Sequence, residues 1–180
     1  RDGINLGEAG ATIIVSCTSE NTYGSDNIFI EDGSISNDSN HISGPSRTGA
    51  ELSSVIDHAI KLSGITAGDI DFISAHGTAT PYNDEMEAKA FHLSELKDTP
   101  VNSLKGYFGH TLGAAGIVES AISMMSLLRG VAVPSMGFES PCVTPELKVL
   151  TSPYYKSMQY CLKTASGFGG CNAAIVFSKN

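Results

Sequence analysis

Residues 114–128 constrain this chain more than any other stretch. Ile117, Val118, Ala121, Ile122, Met124, Met125, Leu127 and Leu128 recur too densely to lie on one narrow helical stripe. A helix that is apolar on nearly every side is expected to be buried, so other elements must wrap around it. Gly113, Ala114, Ala115 and Gly116 leave its first turns almost without side-chain bulk, so another backbone can pack close. Glycine in a helix costs about 1 kcal/mol relative to alanine, so this stretch needs a packing or functional reason. Lys105 and His110 stand just ahead of it. The positive end of a helix dipole disfavours imidazolium, and a neutral histidine placed there can donate a hydrogen bond at neutral pH. On this stretch alone two readings of His110 stand open: a catalytic group, or a core histidine beside a tightly packed helix.

The rest of the chain alternates short apolar runs with helical patterns. Strands are expected over residues 11–16, 27–31, 71–75, 101–104 and 131–136, the last interrupted late by Pro134. Residues 21–25 read as a turn. Residues 32–47 are rich in Ser, Asn, Asp and Gly and read as a surface loop, with His41 solvated in it. A helix is expected over residues 49–62, where Leu52, Val55, Ile56, Ala59, Ile60 and Leu62 recur at helical spacing, with Gly64 at its end. Asn83 or Asp84 can cap a second helix over residues 85–96. Residues 138–150 form a proline-bearing loop. Residues 157–164 and 173–177 read as antiparallel strands joined by Gly167, Phe168, Gly169 and Gly170. The alternation argues an α/β fold, a mixed sheet with helices packed on it.

Composition narrows the function. The 180 residues suffice for one domain with a substantial core. With 11 Lys and Arg against 19 Asp and Glu, net charge -8, a nucleic-acid-binding face is not expected. No apolar run approaches the roughly 20 residues that cross a bilayer, and no signal peptide is recognised, so no membrane partner and a cytoplasmic location are expected. Cys17, Cys142, Cys161 and Cys171 form no CxxC pair, which fits reduced thiols better than disulfides or a metal site. The sequence starts at Arg1 rather than methionine and is expected to be a piece of a longer protein.

Ligands in open α/β folds collect beyond the carboxyl ends of strands. Two such strand ends carry chemistry here: His76, flanked by Gly77, Thr78 and Thr80, and Lys105 with His110. Gly167–Gly170 precedes a strand and is not read as a phosphate cradle. Each signal has a plain structural reading. A strand-end histidine is commonly a satisfied core residue, a glycine-flanked phenylalanine a core plug, and Asp84 and Glu87 first-turn helix acids.

Together, residues 69–87 (DIDFISAHGTATPYNDEME), 102–116 (NSLKGYFGHTLGAAG) and 167–172 (GFGGCN) resemble the β-ketoacyl-acyl-carrier-protein synthases, condensing enzymes of the thiolase-like superfamily. The opening RDGINLGEAG is similar to the family's RDG…GEGAG segment. The resemblance runs end to end in the family's order, weakest over residues 15–53. It implies the C-terminal half of a thiolase-like layered fold and decarboxylative Claisen condensation of an acyl thioester with malonyl-carrier protein, in fatty-acid or polyketide and polyene synthesis. It implies that His76 and His110 face the malonyl thioester and stabilise the enolate, each such donor being worth roughly 3–4 kcal/mol. It implies that Lys105 is a buried site lysine held by Glu87, with Asp84 in support. Thr78 and Thr80 would bond the pantetheine arm. The Phe168 N–H, between Gly167 and Gly169, would supply half an oxyanion hole while its ring gates the acyl pocket.

The same resemblance implies partners: acyl-carrier protein, an N-terminal half of the same polypeptide, and a homodimer or heterodimer. No cofactor is implied beyond the phosphopantetheine that carries the substrates. The family commonly has Thr where Phe108 stands, and Asn and Phe where Thr164 and Ser166 stand, so chain-length preference does not carry over. The family's nucleophilic cysteine lies in a DxACSS-like motif of the N-terminal half, and no such motif occurs here. This chain alone is therefore expected to be inactive. The alternative is a non-catalytic partner subunit like a chain-length factor; keeping His76, His110 and Lys105 argues against it.

Overall fold

The computed structural model describes residues 3–17, 27–38, 40, 42–140 and 142–179. The elements run β1 (Ile28–Asn37), α1 (Ala50–Leu62), β2 (Phe72–Ser74), α2 (Pro81–Leu93), β3 (Val101–Asn102), α3 (Lys105–Phe108), α4 (Ala115–Arg129), β4 (Val131–Ala132), β5 (Tyr154–Tyr155), β6 (Tyr160–Gly167) and β7 (Cys171–Lys179). Short 3-10 turns lie at Ala67–Asp69 and Leu112–Ala114. The main sheet has the order β1-β7-β6-β2-β3. β1, β7 and β6 pair antiparallel, and β2 pairs parallel with both β6 and β3. The sheet is thus mixed, and β2, β3 and β6 all end at one edge of the layer.

Period-2 alternation divides the side chains between two faces. Ile73, Leu162 and Val176 pack with Leu52 and Ile56 of α1 and Met86 and Phe91 of α2. Their strand neighbours Phe72, Cys161 and Phe177 pack on the other face with Leu127 of α4. Helices therefore cover both faces, and burying each such apolar side chain is worth about 1.5–3 kcal/mol.

Several elements differ from the sequence reading. Residues 11–16 form no strand, and Ile14 is 93% exposed, because no strand among the described residues pairs with them. β1 continues through Asn37 into the expected loop, because β7 supplies a ladder partner as far as Cys171. The second helix starts four residues early, with Thr80 as N-cap and Pro81 at its first position; neither Asn83 nor Asp84 caps it. Proline's fixed φ suits that place. The expected turn at 21–25 and His41 lie outside the described residues.

The central helix is half-buried rather than enclosed. Its inward residues are Ala115, Glu119, Ser123, Ser126 and Leu127, while Met125 is exposed. The expected close backbone at Gly113 and Gly116 is not found within the chain: a Cβ on either would meet nothing within 4 Å. Leu112–Arg129 is long and apolar enough to cross a membrane by length and composition, contrary to the sequence reading, with 18 residues at mean hydropathy 1.3. Its inward carboxylate, however, contacts two lysines, and the helix packs on β6 and β7 as a layer of the domain.

Candidate active site

The carboxyl end of β2 runs straight into Ala75 and His76, and β3 leads to Lys105 at the start of α3. His76 is buried and His110 half-buried. Their rings meet edge to face with centroids 5.2 Å apart and planes at 82°. Lys105 Nζ donates to the carbonyl of His76 and lies 3.4 Å from its Nδ1. An ammonium can only donate, so Nδ1 is the acceptor and the ring proton sits on Nε2. At His110 the N–H of Leu112 donates to Nδ1 at 3.1 Å, which fixes the same tautomer. Each of the two neighbouring imidazoles thus carries its proton on Nε2.

Both rings are held neutral. Burial, followed by Lys105, Lys163 and His110, pushes His76 down to about 2. His110 is lowered by burial and then by Lys105. The dipole of α4 is not the cause, because His110 lies five residues ahead of Ala115, beyond the range of the first turn.

His110 is placed by the N-terminal segment. The Gly7 N–H donates to the His110 carbonyl at 3.1 Å, and the His110 N–H to the Asn5 carbonyl at 2.7 Å. This contact needs glycine on both sides. A Cβ on Gly7 would lie 1.8 Å from the Phe108 carbonyl oxygen, and Gly109 has φ +70° with its missing Cβ against Gly7.

The pairing expected between Lys105 and Glu87 is not formed. Lys105 Nζ instead contacts Glu119 Oε1 at 2.6 Å, on the α4 face of the sheet. Glu87 lies on the α2 face and is fully occupied there. It accepts from the His76 N–H at 2.8 Å, the Gly77 N–H at 2.7 Å, Asn83 Nδ2 at 2.9 Å and Thr164 Oγ1 at 3.0 Å. Burial raises its pKa. Glu87 therefore fixes the backbone of His76, while Glu119 holds the lysine.

Sequence reasoning missed Glu119 and Lys163. Lys163 Nζ approaches Glu119 Oε2 to 2.7 Å, so one carboxylate spans two buried ammonium groups. That oxygen takes no aligned hydrogen bond, since Lys163 also directs donors to the carbonyls of Thr164, Ser74 and Ala75. A signal was present: Glu119 is the one charge in residues 114–128, and Lys163 the one charge in Tyr160–Gly167.

Thr78 and Thr80 bond each other through Oγ1 at 2.8 Å beside His76. Asp84 lies in the first turn of α2, near Asn83 Nδ2 at 3.4 Å. Gly167, Phe168 and Gly169 form the β6–β7 turn at the same end of the sheet. The Phe168 ring is 79% exposed, and the turn is tied through Gly169 to Ile42 and Asn37 rather than to the histidines. A concavity of about 510 Å³ near Arg129, Gln159 and Lys179 lies at the opposite end of β6 and holds none of these residues.

Residues 29–139 match the family model described as beta-ketoacyl synthase, C-terminal domain. The chain is 33% identical over 181 residues to 3-oxoacyl-[acyl-carrier-protein] synthase 2 of Mycobacterium leprae, covering 98% of this chain and 43% of that protein. It superposes with TM-score 0.77 and 29% identity on a chain of a ketosynthase in complex with its chain length factor from Xenorhabdus doucetiae, covering 85% of this chain and 39% of that one. A type II polyketide acyl-carrier protein in complex with its ketosynthase bound to the hexaketide gives TM-score 0.75 at 28% identity, covering 83% and 38%. The chain spans under half the length of these relatives. With the mixed sheet and helical layers of the thiolase-like ketosynthases, it belongs to the beta-ketoacyl synthase family as a C-terminal domain.

Proposed function

We propose that this chain is the C-terminal part of a 3-oxoacyl-[acyl-carrier-protein] synthase and supplies the half of the site that generates the malonyl-derived nucleophile. The observation that carries this reading is the pair of neighbouring imidazoles, each with Nδ1 occupied and its proton on Nε2. When a malonyl thioester decarboxylates, its C–C bond breaks, CO2 leaves and the electron pair moves onto the thioester oxygen. Two preorganised N–H donors stabilise that oxyanion without reorganising at the moment of reaction. The enolate carbon then attacks an acyl thioester and expels its thiolate.

The nucleophile that holds the acyl group is assigned to an N-terminal half outside this chain. Cys161 is unsuited to the role: it is fully buried and pushed up to about 12 by desolvation. The exposed Leu112 and Phe108, with the open space beside Gly113 and Gly116, support a covering half at this end. Carrier-protein substrates and dimeric assembly are proposed from the relatives, one a complex with an acyl-carrier protein and one with a chain length factor. Thr78 and Thr80 are assigned to the pantetheine arm and the Phe168 turn to the acyl thioester.

The complete protein should decarboxylate malonyl-carrier protein and condense it with an acyl thioester, whereas Arg1–Asn180 alone should do neither. Condensation by this piece alone overturns the two-half reading. A complete protein that binds carrier protein yet never decarboxylates is the partner-subunit alternative instead.

A further inference from the structure

Lys163 is a buried cation that the proposed chemistry leaves unused. Its side chain is 3% exposed in the middle of β6, on the face that Cys161 shares with α4. Burying an ammonium costs more in desolvation than a single ion pair readily returns, so its contacts need a reason. Those contacts surround His76 without touching its ring. Lys163 Nζ donates to the carbonyls of Ser74 at 3.2 Å and Ala75 at 3.3 Å, the two residues before His76. Lys105 Nζ takes the next carbonyl, that of His76 itself. Two lysines thus hold three successive carbonyls at the end of β2.

The two lysines are also joined through Glu119, Oε1 to Lys105 and Oε2 to Lys163. With an ammonium facing each oxygen, the carboxylate is drawn to both lysines, and Oε1 is kept for Lys105. Lys105 is thereby kept 3.4 Å from His76 Nδ1. The contacts close a ring, from Lys163 through Glu119 and Lys105 to the imidazole, and back along the backbone to the Ala75 carbonyl.

We propose that Lys163 is a positioning residue: through Glu119 it holds Lys105 against His76 Nδ1, and through the Ser74 and Ala75 carbonyls it holds the backbone that carries the ring. Its product is a single His76 tautomer with the proton on Nε2. The inference rests on reading His76 as an enolate donor, but the tautomer can be observed without turnover.

The test uses the complete protein with 15N-labelled histidine. Wild type should show His76 as one tautomer protonated at Nε2. Lys163→Met should show a mixture, and its decarboxylation rate should fall with little change in KM, by about a hundredfold, the scale of a misplacement of about 1 Å. A folded Lys163→Met, melting close to wild type, whose His76 remains a single Nε2–H tautomer overturns the proposal. Should the Met variant not fold, Lys163→Gln keeps donors for the carbonyls and removes the charge that faces Glu119; an unchanged tautomer there overturns it equally. A wild type that shows the tautomer, loses it in Lys163→Met and never decarboxylates overturns the functional reading and supports the positioning role. A decarboxylase whose His76 signal ignores both variants does the reverse.

Discussion

The imidazole of His76 stands edge-on to that of His110, with centroids 5.2 Å apart. At that spacing a proton on one ring penalises a proton on the other. Burial is the main cause that lowers both rings, and Lys105 and Lys163 press the pair further toward neutrality while Glu119 opposes them at His110. Both rings can therefore donate from Nε2 without carrying a buried positive charge.

His110→Ala in the complete protein should slow malonyl decarboxylation by roughly two to three orders of magnitude, the scale of losing one oxyanion donor. Acyl transfer should remain comparatively intact, because it is assigned to the Phe168 turn. Thioester formation, decarboxylation and a melting curve on the same variant decide the matter. Equal loss in both steps with a large drop in melting temperature means a structural histidine.

Glu119→Gln removes the carboxylate from two buried ammonium groups and should destabilise the protein by about 3–5 kcal/mol. In double-mutant cycles by chemical denaturation, Lys105→Met should couple strongly to Glu119→Gln and only weakly to Glu87→Gln. A larger coupling to Glu87 contradicts the pairing described here.

His76 has an ordinary pKa of 6.5 when unfolded and about 2 when folded. Below pH 6.5 the unfolded chain gains a proton that the folded one refuses, so stability falls as pH falls toward 2. The titratable groups around His76 are Lys105, Lys163, His110, Glu87 and Glu119, and Glu87, with its raised pKa, acts in the opposite sense. Comparison with His76→Asn isolates the histidine. Between pH 6.5 and 4.5, wild type should lose stability relative to that variant at up to about 1.4 kcal/mol per pH unit. Parallel curves refute the neutral buried histidine.

Gly7→Ala puts a Cβ where the Phe108 carbonyl oxygen already sits, 1.8 Å away. The segment should detach from His110. Hydrogen exchange should show the amides of Gly7 and His110 losing protection together while α1 keeps its own. Unchanged protection at both amides means that the segment accommodates the methyl and does not fix His110.

Cys17, Cys142 and Cys171 are exposed, and Cys161 is buried. A thiol reagent should modify those three in the native chain and reach Cys161 only after denaturation. Rapid native labelling of Cys161 contradicts its burial under α4.

The sequence was most legible where one periodicity dominated. The spacing of Leu52, Val55, Ile56 and Ala59 placed α1 to within a residue. The motifs placed His76, Lys105 and His110 at one end of the sheet. Long-range pairing was illegible. Asp32–Asn37 looks like loop because serine, glycine and asparagine favour turns, and only the β7 ladder makes it a strand. Glu119 lies 14 positions from Lys105, inside the apolar helix α4, and only the sheet, by putting α2 and α4 on opposite faces, shows which acid the lysine meets.

The strand order has a consequence for synthesis. Among the described elements β1 precedes its ladder partner β7 by all four helices, and β6, which joins that pair to β2, comes only just before β7. A ribosome that has translated as far as Ser157 has supplied all four α-helices but neither strand on which the sheet closes. Non-local pairing of this sort is slow and leaves apolar faces waiting. Removing residues 158–179 should therefore damage the fold far more than the length removed suggests.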